Sequence, residues 1–284
     1  MYLWLNIWYN LYYYIYFGGV ILDREFNYDQ DRKKAIFRLA LFTGELMLRN
    51  GAETYRVEDT ILRICNSRGY QHVNVFTSPT VIIISDERFD GITFMKTIKN
   101  RGINLNKIDL LNAFSRKFVS NKDLSIGDAL VLLKDIEKVK SYNQWVVYVG
   151  TGLGSACFSV LLGCTLVDFI FTFITSIFAV IIFDKMFGIS SIPSFATLTS
   201  AIFIAVIGTS LSSIGLLSQP NTLIVGSIMP LLPGVSLIKG LRDLISGDLI
   251  SGVARAFDAT LTAVAIAVGV GFVLDVWLKL GGVL

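Results

Sequence analysis

The chain has 284 residues, of which 53% are hydrophobic and only 17% charged, and its mean hydropathy is +0.61. A soluble globular protein carries about 25% charged residues, so a wholly soluble protein is excluded. The net charge is +3 and no basic block occurs, which excludes a typical nucleic-acid-binding protein.

The charges are unevenly distributed. Residues 23–140 hold 20 of the 25 Lys and Arg residues and 16 of the 22 Asp and Glu residues. We therefore predict an aromatic extension (1–27), a cytoplasmic α+β domain (28–140) and a transmembrane helical domain (141–284). The three cysteines are scattered and there is a single histidine, so we predict no cofactor and no metal site.

The first 22 residues carry no charged side chain and are rich in Tyr, Trp and Asn. They are long enough to span a bilayer, but Tyr and Trp favour the membrane–water interface. The segment lacks the positive start and the cleavage site of a signal peptide. Three interpretations stay open: an extra transmembrane helix, an interfacial helix, or an extension from a start site assigned too early.

The sequence of the cytoplasmic domain predicts two helices, then three strands, then two more helices. Apolar residues recur at helical spacing on either side of Asn50–Gly51, and Gly69 ends the second helix. Alternating and β-branched runs follow, interrupted at Ser78–Pro79, and an Asp90–Gly91 pair predicts a hairpin. The predicted order is ααβββαα, with helices within 28–70, strands at 72–77, 80–85 and 89–94, and helices near 105–119 and 125–138.

The remaining half predicts about five transmembrane helices. Residues 145–183 contain one charge, Asp168, and are long enough for two spans with a turn near 163–168. Three more runs follow, at 195–217, 220–238 and 250–278. If the N-terminal domain is cytoplasmic, all the lysines and arginines near the span ends except Lys279 lie on the cytoplasmic side, as the positive-inside rule requires. We therefore predict a multi-pass protein of the cell membrane.

The fourth run contains the sequence PLLPG at residues 230–234. Pro230 and Pro233 cannot donate backbone hydrogen bonds, and Gly234 permits unusual backbone angles. We expect the helix to break near the middle of the membrane, where irregular backbone survives only inside protein or beside a wet cavity. A half-helix starting at Val235 and Ser236 would point its positive end at an anionic substrate. The alternative is a simple proline kink.

Ionisable residues in the fifth run suggest a substrate or proton site. Arg255, Asp258 and Thr262 lie on one helical face. Arg255 would orient a carboxylate or pair with Asp258, and Asp258 or Asp168 would exchange a proton. The alternatives are that Arg255 and Asp258 only pair with each other, and that Asp168 is a hydrated turn residue.

Small residues predict where the spans pack closely. Gly150 and Gly154 form a GxxxG pair on the first span, and Ala201, Ala205 and Thr209 share one face of the third.

The stretch GAETYRVEDT (51–60) concentrates charge in the cytoplasmic domain. Glu53, Arg56, Glu58 and Asp59, together with Pro79, are candidates for a cytoplasmic gate or interface. The alternatives are a solvated helix start and a membrane-anchored hydrolase that uses the three carboxylates. The hydrolase lacks support, because no GxSxG or HExxH motif accompanies the single histidine.

Two blocks of the sequence resemble the threonine/serine exporter family (ThrE). GAETYRVEDT followed by VNVFTSPTVIIIS resembles its cytoplasmic domain. MPLLPGVSLIKGLRDLISGDLISGVARAFDATLTAVAIAVGV resembles the last two spans of its membrane domain. The resemblance covers about residues 30–275. It is specific, because both blocks occur in the family's order and spacing.

The resemblance implies export of small carboxylate metabolites, threonine and serine in one branch and succinate in another, driven by the proton-motive force. Long members carry a second membrane domain, so a chain ending at Leu284 resembles the YjjP half of the split YjjP/YjjB exporters. The resemblance implies a small YjjB-like subunit as a partner. Membrane lipid, the substrate and a second copy of the chain are the other predicted partners. Lys239 stands where the family often has asparagine, and the segment 1–22 has no counterpart in the family.

The sequence thus predicts a subunit of a proton-coupled secondary exporter, with Pro230, Pro233, Gly234, Val235, Ser236, Arg255 and Asp258 at the substrate. The alternatives are the hydrolase and a non-transporting sensor or scaffold subunit acting through its cytoplasmic domain.

Overall fold

The computed structural model describes residues 28–88, 91–99, 101–140, 142–217 and 219–281. The predicted N-terminal extension lies outside these residues, as does Asp90 of the predicted hairpin turn. We call residues 28–140 the N-terminal region and the helices that follow Asn143 the membrane helices.

The N-terminal region contains two helices, three strands and two helices, in the order that the sequence predicts. Each element lies within a few residues of its predicted position. The elements are α1 (Tyr28–Arg49), α2 (Thr54–Ser67), β1 (Val73–Ser78), β2 (Val81–Asp86), β3 (Thr93–Thr97), α3 (Leu105–Ser120) and α4 (Ile126–Lys138).

Local signals set the ends of these helices. Gly51 lies just after α1 with φ +88°, a left-handed conformation that glycine adopts without strain. The side chains of Asn104 and Ser125 accept backbone N–H bonds at the starts of α3 and α4. Such caps satisfy backbone groups that a helix start leaves unpaired.

The strands form one antiparallel sheet in the order β1-β2-β3. Ser78 pairs with Val81, so Pro79 and Thr80 form the tight turn between β1 and β2. Ile82 and Ile84 of β2 point inward and are fully buried, together with Phe37 of α1 and Phe118 of α3. These side chains belong to one continuous core that all four helices share with the sheet.

The membrane helices include four that are long and apolar enough to span a bilayer, and the described residues contain a fifth span if one bent helix pair counts as one. The helices are α5 (Gln144–Leu161), α6 (Leu166–Ser190), α7 (Pro193–Ser213), α8 (Pro220–Ile228), α9 (Gly234–Ile245) and α10 (Leu249–Lys279). A short 3₁₀ turn (Met229–Leu231) follows α8, and the two halves of the bent pair meet at 51°.

The break in the fourth span follows from its prolines. Leu232 precedes Pro233 and is extended, with φ −66° and ψ 133°, because a residue before proline is disfavoured in the helical region. The segment from Pro220 to Leu231 spans about 18 Å at 1.5 Å per residue, against a hydrocarbon core of about 30 Å. By length, the break lies about three-fifths of the hydrocarbon thickness from Pro220, and its position near the middle of the membrane stays a prediction.

One packing prediction is wrong and another is confirmed. Gly150 and Gly154 are exposed, and a Cβ at either position would meet nothing within 4 Å. Gly152, on the opposite side of α5, faces Ile177 and the backbone of Phe173 instead. Ala201, Ala205 and Thr209 of α7 are buried, as predicted.

Candidate functional site

A cavity of about 610 Å³ lies where the N-terminal region meets the membrane helices. We call it the junction cavity. Its walls come from the N-terminal region (Leu48, Gly51, Pro79, Lys99, Arg101, Gly102 and Ile103), the ends of α6 and α7 (Phe187, Gly188, Ser191 and Pro193) and the α9–α10 hairpin (Val235, Ser236, Lys239, Arg255 and Asp258).

The junction cavity brings together five of the residues that the sequence singles out. Val235, Ser236, Arg255, Asp258 and Pro79 all line it. They arrive from three separate elements: the start of α9, the second and third turns of α10, and the turn between β1 and β2.

The remaining candidates in the broken span shape the backbone. Pro230 lies in the 3₁₀ turn, Pro233 is the residue before α9, and Gly234 is its first residue. They are not among the residues that line the junction cavity. Their contribution is to end one helix and start the next, which places Val235 and Ser236 at the wall.

The start of α9 is open to the junction cavity. Pro233 precedes the helix, and no described side chain caps its N-terminus. The first backbone N–H groups of a helix have no partner within it, and they carry the positive end of the helix dipole. Because Val235 and Ser236 are in this first turn and line the cavity, an anion there would meet both the dipole and N–H donors.

Arg255 is held by contacts on two sides. Its Nε lies 2.9 Å from Oδ2 of Asp243, a fully buried carboxylate on α9. Its guanidinium also donates to the backbone oxygen of Ala52 at 3.2 Å. The predicted partner Asp258 instead lies 4.0 Å from Arg101 of the N-terminal region, and both of those side chains are well exposed. Asp243 is thus the structural partner of Arg255, and Asp258 faces the cavity.

A loop between α1 and α2 joins the two parts of the molecule. We call residues 50–53 the docking loop. Lys239 donates to the backbone oxygen of Gly51, and Arg242 pairs with Glu53. Glu53 is buried despite its charge. Of the candidates for a gate or interface, Glu53 therefore lies directly in the contact between the two parts.

Two further contacts extend this joint. The hydroxyl of Thr54 donates to Asp248 at 3.2 Å, and the hydroxyl of Ser251 donates to the backbone oxygen of Thr77 at 3.4 Å. Asp248 and Ser251 flank the start of α10. Both the first residue of α2 and the end of β1 thus contact the α9–α10 hairpin.

The hairpin itself depends on two glycines. A Cβ on Gly240 would lie 3.1 Å from the backbone oxygen of Gly252, and a Cβ on Gly252 would lie 2.5 Å from Cγ of Leu244. Glycine at both positions lets α9 and α10 approach closely enough for Asp243 and Arg255 to pair.

The other charged candidates on α2 have separate surroundings. Glu58 is half-buried and accepts the backbone N–H of Thr77 at 2.8 Å. Burial raises the pKa of Glu58, Asp248 adds to the increase, and the hydrogen bond from Thr77 opposes it. Asp59 pairs with Arg63 at 2.8 Å on the surface, and Arg56 is exposed.

Asp168 lies in the first turn of α6 and is fully buried. Its side chain accepts from the backbone N–H and the hydroxyl of Thr165, at 3.0 and 2.8 Å, and Thr165 in turn accepts from the backbone N–H of Asp168. This reciprocal pair is a capping box. Asp168 therefore has a structural role at the helix start, and it is not the hydrated turn residue considered from the sequence.

Comparison with known proteins decides the family. The family model of the threonine/serine exporters, ThrE, matches residues 38–277. The chain belongs to the threonine/serine exporter family. The match includes the N-terminal region from α1 onward and all the membrane helices.

Relatives from three bacteria agree with this assignment. The chain is 26% identical to the "Probable succinate transporter subunit YjjP" of Klebsiella aerogenes, over 88% of this chain and 96% of that protein. It is 27% identical to the protein of the same name in Escherichia coli K12, over 87% and 96% of the two chains. It is 24% identical to the "Threonine/serine exporter" of Corynebacterium glutamicum, over 86% of this chain and 51% of that protein. No solved structure matches the chain.

Family membership and the apolar helices together identify a multi-pass membrane protein of a transporter family. Relatives are named as transporters, and the described residues contain no group of three or more His, Cys, Asp and Glu side chains that could hold a metal ion.

This member of the exporter family has functional candidates that sequence reasoning missed. Lys99 and Arg101 line the junction cavity from the segment after β3, and Asp243 pairs with Arg255. Lys239 was noted only as a departure from the family pattern. No sequence motif marks Lys99 and Arg101. They line the cavity because the N-terminal region packs against the membrane helices. Asp243 and Arg255 are twelve residues apart on two helices, and only the hairpin turn between them brings them together.

Proposed function

We propose that this chain is the substrate-binding subunit of a secondary exporter for small carboxylate metabolites, either threonine and serine or a dicarboxylate such as succinate. The N-terminal region lies in the cytoplasm, and the junction cavity is the site at which substrate enters the membrane part. The names of the relatives support the transport of these two classes of compound.

The observation that carries this proposal is the junction cavity itself. It combines an open helix N-terminus at Val235 and Ser236 with the side chains of Arg255 and Lys239. Backbone N–H groups and a guanidinium are the donors that bind carboxylates best. Its volume also falls in the range of about 300–1,000 Å³ that small-molecule sites occupy.

Asp258 is the proposed proton-exchanging group. It is exposed to the junction cavity, which gives it access to water and to substrate. Asp168 is the other candidate, but its carboxylate is engaged in the cap of α6. If Asp258 couples transport to protons, Asp258→Asn abolishes the pH dependence of export. An unchanged pH profile in that variant clears Asp258 of this role.

The docking loop is the proposed gate. Gly51, Ala52 and Glu53 all contact the α9–α10 hairpin, so a movement of the N-terminal region would open or close the junction cavity. Pro79 lines the same cavity from the turn between β1 and β2.

The word "subunit" in the names of two relatives supports a separate membrane partner. We propose a small YjjB-like protein as this partner, with membrane lipid around both and a second copy of the chain in the assembly.

The test is counterflow of labelled threonine and labelled succinate in proteoliposomes, with this chain alone and with the companion subunit. Exchange of either compound only with the companion supports a two-part exporter and identifies its substrate. Ser236→Leu is expected to reduce exchange by more than about tenfold, because Ser236 lines the cavity and a larger side chain there takes up space that the substrate needs. Lys122→Gln, on the surface of the N-terminal region, is the control.

The counterflow result also addresses the alternatives. A sensor or scaffold subunit would keep full activity of the complex after Ser236→Leu, Pro233→Ala or Arg255→Gln. The hydrolase needs Glu53, Glu58 and Asp59 to act together, whereas each of them contacts a different partner in this structure.

A further inference from the structure

We propose that Lys99 and Arg101, on the N-terminal region, form a second cationic pole of the junction cavity and make it selective for ligands with two anionic groups. The first pole consists of Arg255 and Lys239 on the α9–α10 hairpin. This inference rests on the proposed function, because it takes the junction cavity as the substrate site.

The charge of the cavity wall favours a dianion. Four cationic side chains line the junction cavity, two from each part of the molecule: Lys99 and Arg101, and Lys239 and Arg255. Among the described lining residues Asp258 is the single acidic one, and Asp243, which does not line the cavity, pairs with Arg255. The four cations and these two carboxylates leave a formal charge of +2. Like charges collected around one concave surface repel one another unless an anion is present. A ligand with two carboxylates offsets more of this charge than a zwitterion with no net charge does.

The side chains of the first pole make closer contacts within the protein than Arg101 of the second pole does. Arg255 pairs with Asp243 at 2.9 Å and donates to Ala52, and Lys239 donates to Gly51. Arg101 has Asp258 at 4.0 Å, and both side chains are more than 40% exposed. An exposed pair at that distance contributes little stability. The Arg101 guanidinium is therefore available to a ligand at small cost.

Backbone hydrogen bonds occur on both sides of the second pole. On one side of it, the N–H of Ile98 donates to the backbone oxygen of Thr80 at 2.7 Å, next to Pro79 of the cavity wall. On the other side, the N–H of Gly102 donates to Arg49 at 2.9 Å. Lys99 therefore follows, and Arg101 precedes, a residue whose backbone N–H is hydrogen-bonded within the N-terminal region.

An amino acid would fit this wall less well. Its carboxylate could bind at the first pole and its ammonium group near Asp258. Lys99 and Arg101 would then both face a cation. A dicarboxylate has no such conflict, because both of its charged groups are anions.

The experiment compares substrate preference in proteoliposomes that contain the full chain and its companion subunit. Counterflow of succinate, of butyrate as the matched monocarboxylate, and of threonine is measured for the wild type and for Lys99→Gln/Arg101→Gln. The control is Lys117→Gln/Lys122→Gln, which removes two positive charges from exposed positions of α3 and the turn after it, away from the cavity.

We expect the KM for succinate to rise by about tenfold or more in the cavity variant, because at least one charge-assisted hydrogen bond is lost. The KM for butyrate should change by less than about threefold. The control variant should match the wild type. Equal loss for succinate and butyrate, or an unchanged preference, overturns the second pole while the proposed function stands. A wild type that exchanges threonine but not succinate also overturns it. A wild type that exchanges none of the three compounds overturns the proposed function and the inference with it.

Discussion

The two parts of this protein bury opposite kinds of side chain. Most of the large, fully buried side chains among the described residues belong to the N-terminal region, and Ile204 and Leu223 are the exceptions. The buried positions of the membrane helices are mostly Ala, Ser, Thr and Gly, for example Ala156, Ser159, Thr172 and Ser176. Their large apolar side chains lie outside, such as Leu161 at 80% and Phe178 at 52% exposure.

The solvent explains the difference. In water, a large apolar side chain gains about 25 cal/mol for each Å² that folding removes from contact with water. In a bilayer the lipid chains are as apolar as the side chains, so burying them against another helix gains little. Small residues then decide the packing, because they let helix backbones approach and let hydroxyl groups bond across or along the helices.

The largest expected effect comes from removing a large side chain from the water-soluble core. Phe37→Ala should cost about 3–5 kcal/mol, because Phe37 is fully buried and packs edge-on against the rings of Tyr70 and Phe94. Thermal unfolding in detergent should show a fall in Tm of about 10 °C. The matched change on the membrane helices, Phe178→Ala, should shift Tm by no more than about 2 °C. Equal shifts for the two variants would contradict the comparison.

On a membrane helix, enlarging a buried small residue should destabilise the protein, whereas enlarging an exposed one should not. Gly152→Val should destabilise the protein by about 1–3 kcal/mol, because a Cβ there would lie 2.7 Å from Ile177 and 2.9 Å from the backbone oxygen of Phe173. Gly154→Val, two residues along α5, meets nothing within 4 Å and should leave Tm unchanged. If Gly154→Val is the more damaging of the two in detergent, the packing face of α5 is misassigned.

A smaller effect is expected from a hydroxyl that bonds between helices. The Ser200 hydroxyl on α7 donates to the backbone oxygen of Ala179 on α6 at 3.0 Å, and both residues are buried. Ser200→Ala should cost about 0.6 kcal/mol, the average for such bonds inside membranes. The control is Thr260→Ala, whose exposed hydroxyl bonds only within α10. A loss above about 2 kcal/mol would mean that polar contacts, rather than close packing, hold these helices together.

The smallest expected effect concerns Glu58, near the contact between the two parts. Its pKa is raised in the folded protein, chiefly by burial, so the folded state binds this proton more tightly than the unfolded chain does. The resulting stability is fully present below the unfolded pKa and is lost as the pH rises through the folded pKa.

Glu58→Gln removes that dependence and keeps an acceptor for the N–H of Thr77. The variant should be more stable than the wild type by less than about 1 kcal/mol at about pH 8, and equal to it at about pH 4, as measured by Tm across that range. A wild type that gains stability over the variant as the pH rises would reverse the sign and refute this account. Asp59→Asn is the control, because the Asp59–Arg63 pair is exposed.

Much of the fold was predictable because its signals are local. Asn50–Gly51 ends α1, Gly69 follows α2, and the apolar runs mark the membrane helices within a few residues. PLLPG predicts the break in the fourth span, since neither proline can continue a hydrogen-bonded helix. The depth of the break in the bilayer does not follow from these residues, because it depends on where the membrane boundary lies along the helix that begins at Pro220.

The candidate site was predictable only in part. The helix start at Val235 and Ser236 and the two charges of α10 follow from sequence periodicity, and they do line one cavity. The pairing of Arg255 with Asp243 was not predictable, because i+3 spacing on one helix suggested Asp258 as the partner. The face of α5 was wrongly predicted for a similar reason: the GxxxG spacing names a helix face but not the neighbour that the face meets.

The sequence by itself determined the helices and strands, the break at PLLPG, the division of charge between the two parts and the family. Each of these depends on residues close together in the chain, or on composition. Only the tertiary structure decided that Lys99 and Arg101 share a cavity with Arg255, and that the docking loop contacts α9 and α10. Those contacts join residues more than 150 positions apart, and no local propensity specifies which cations will meet when the two parts of the chain pack together.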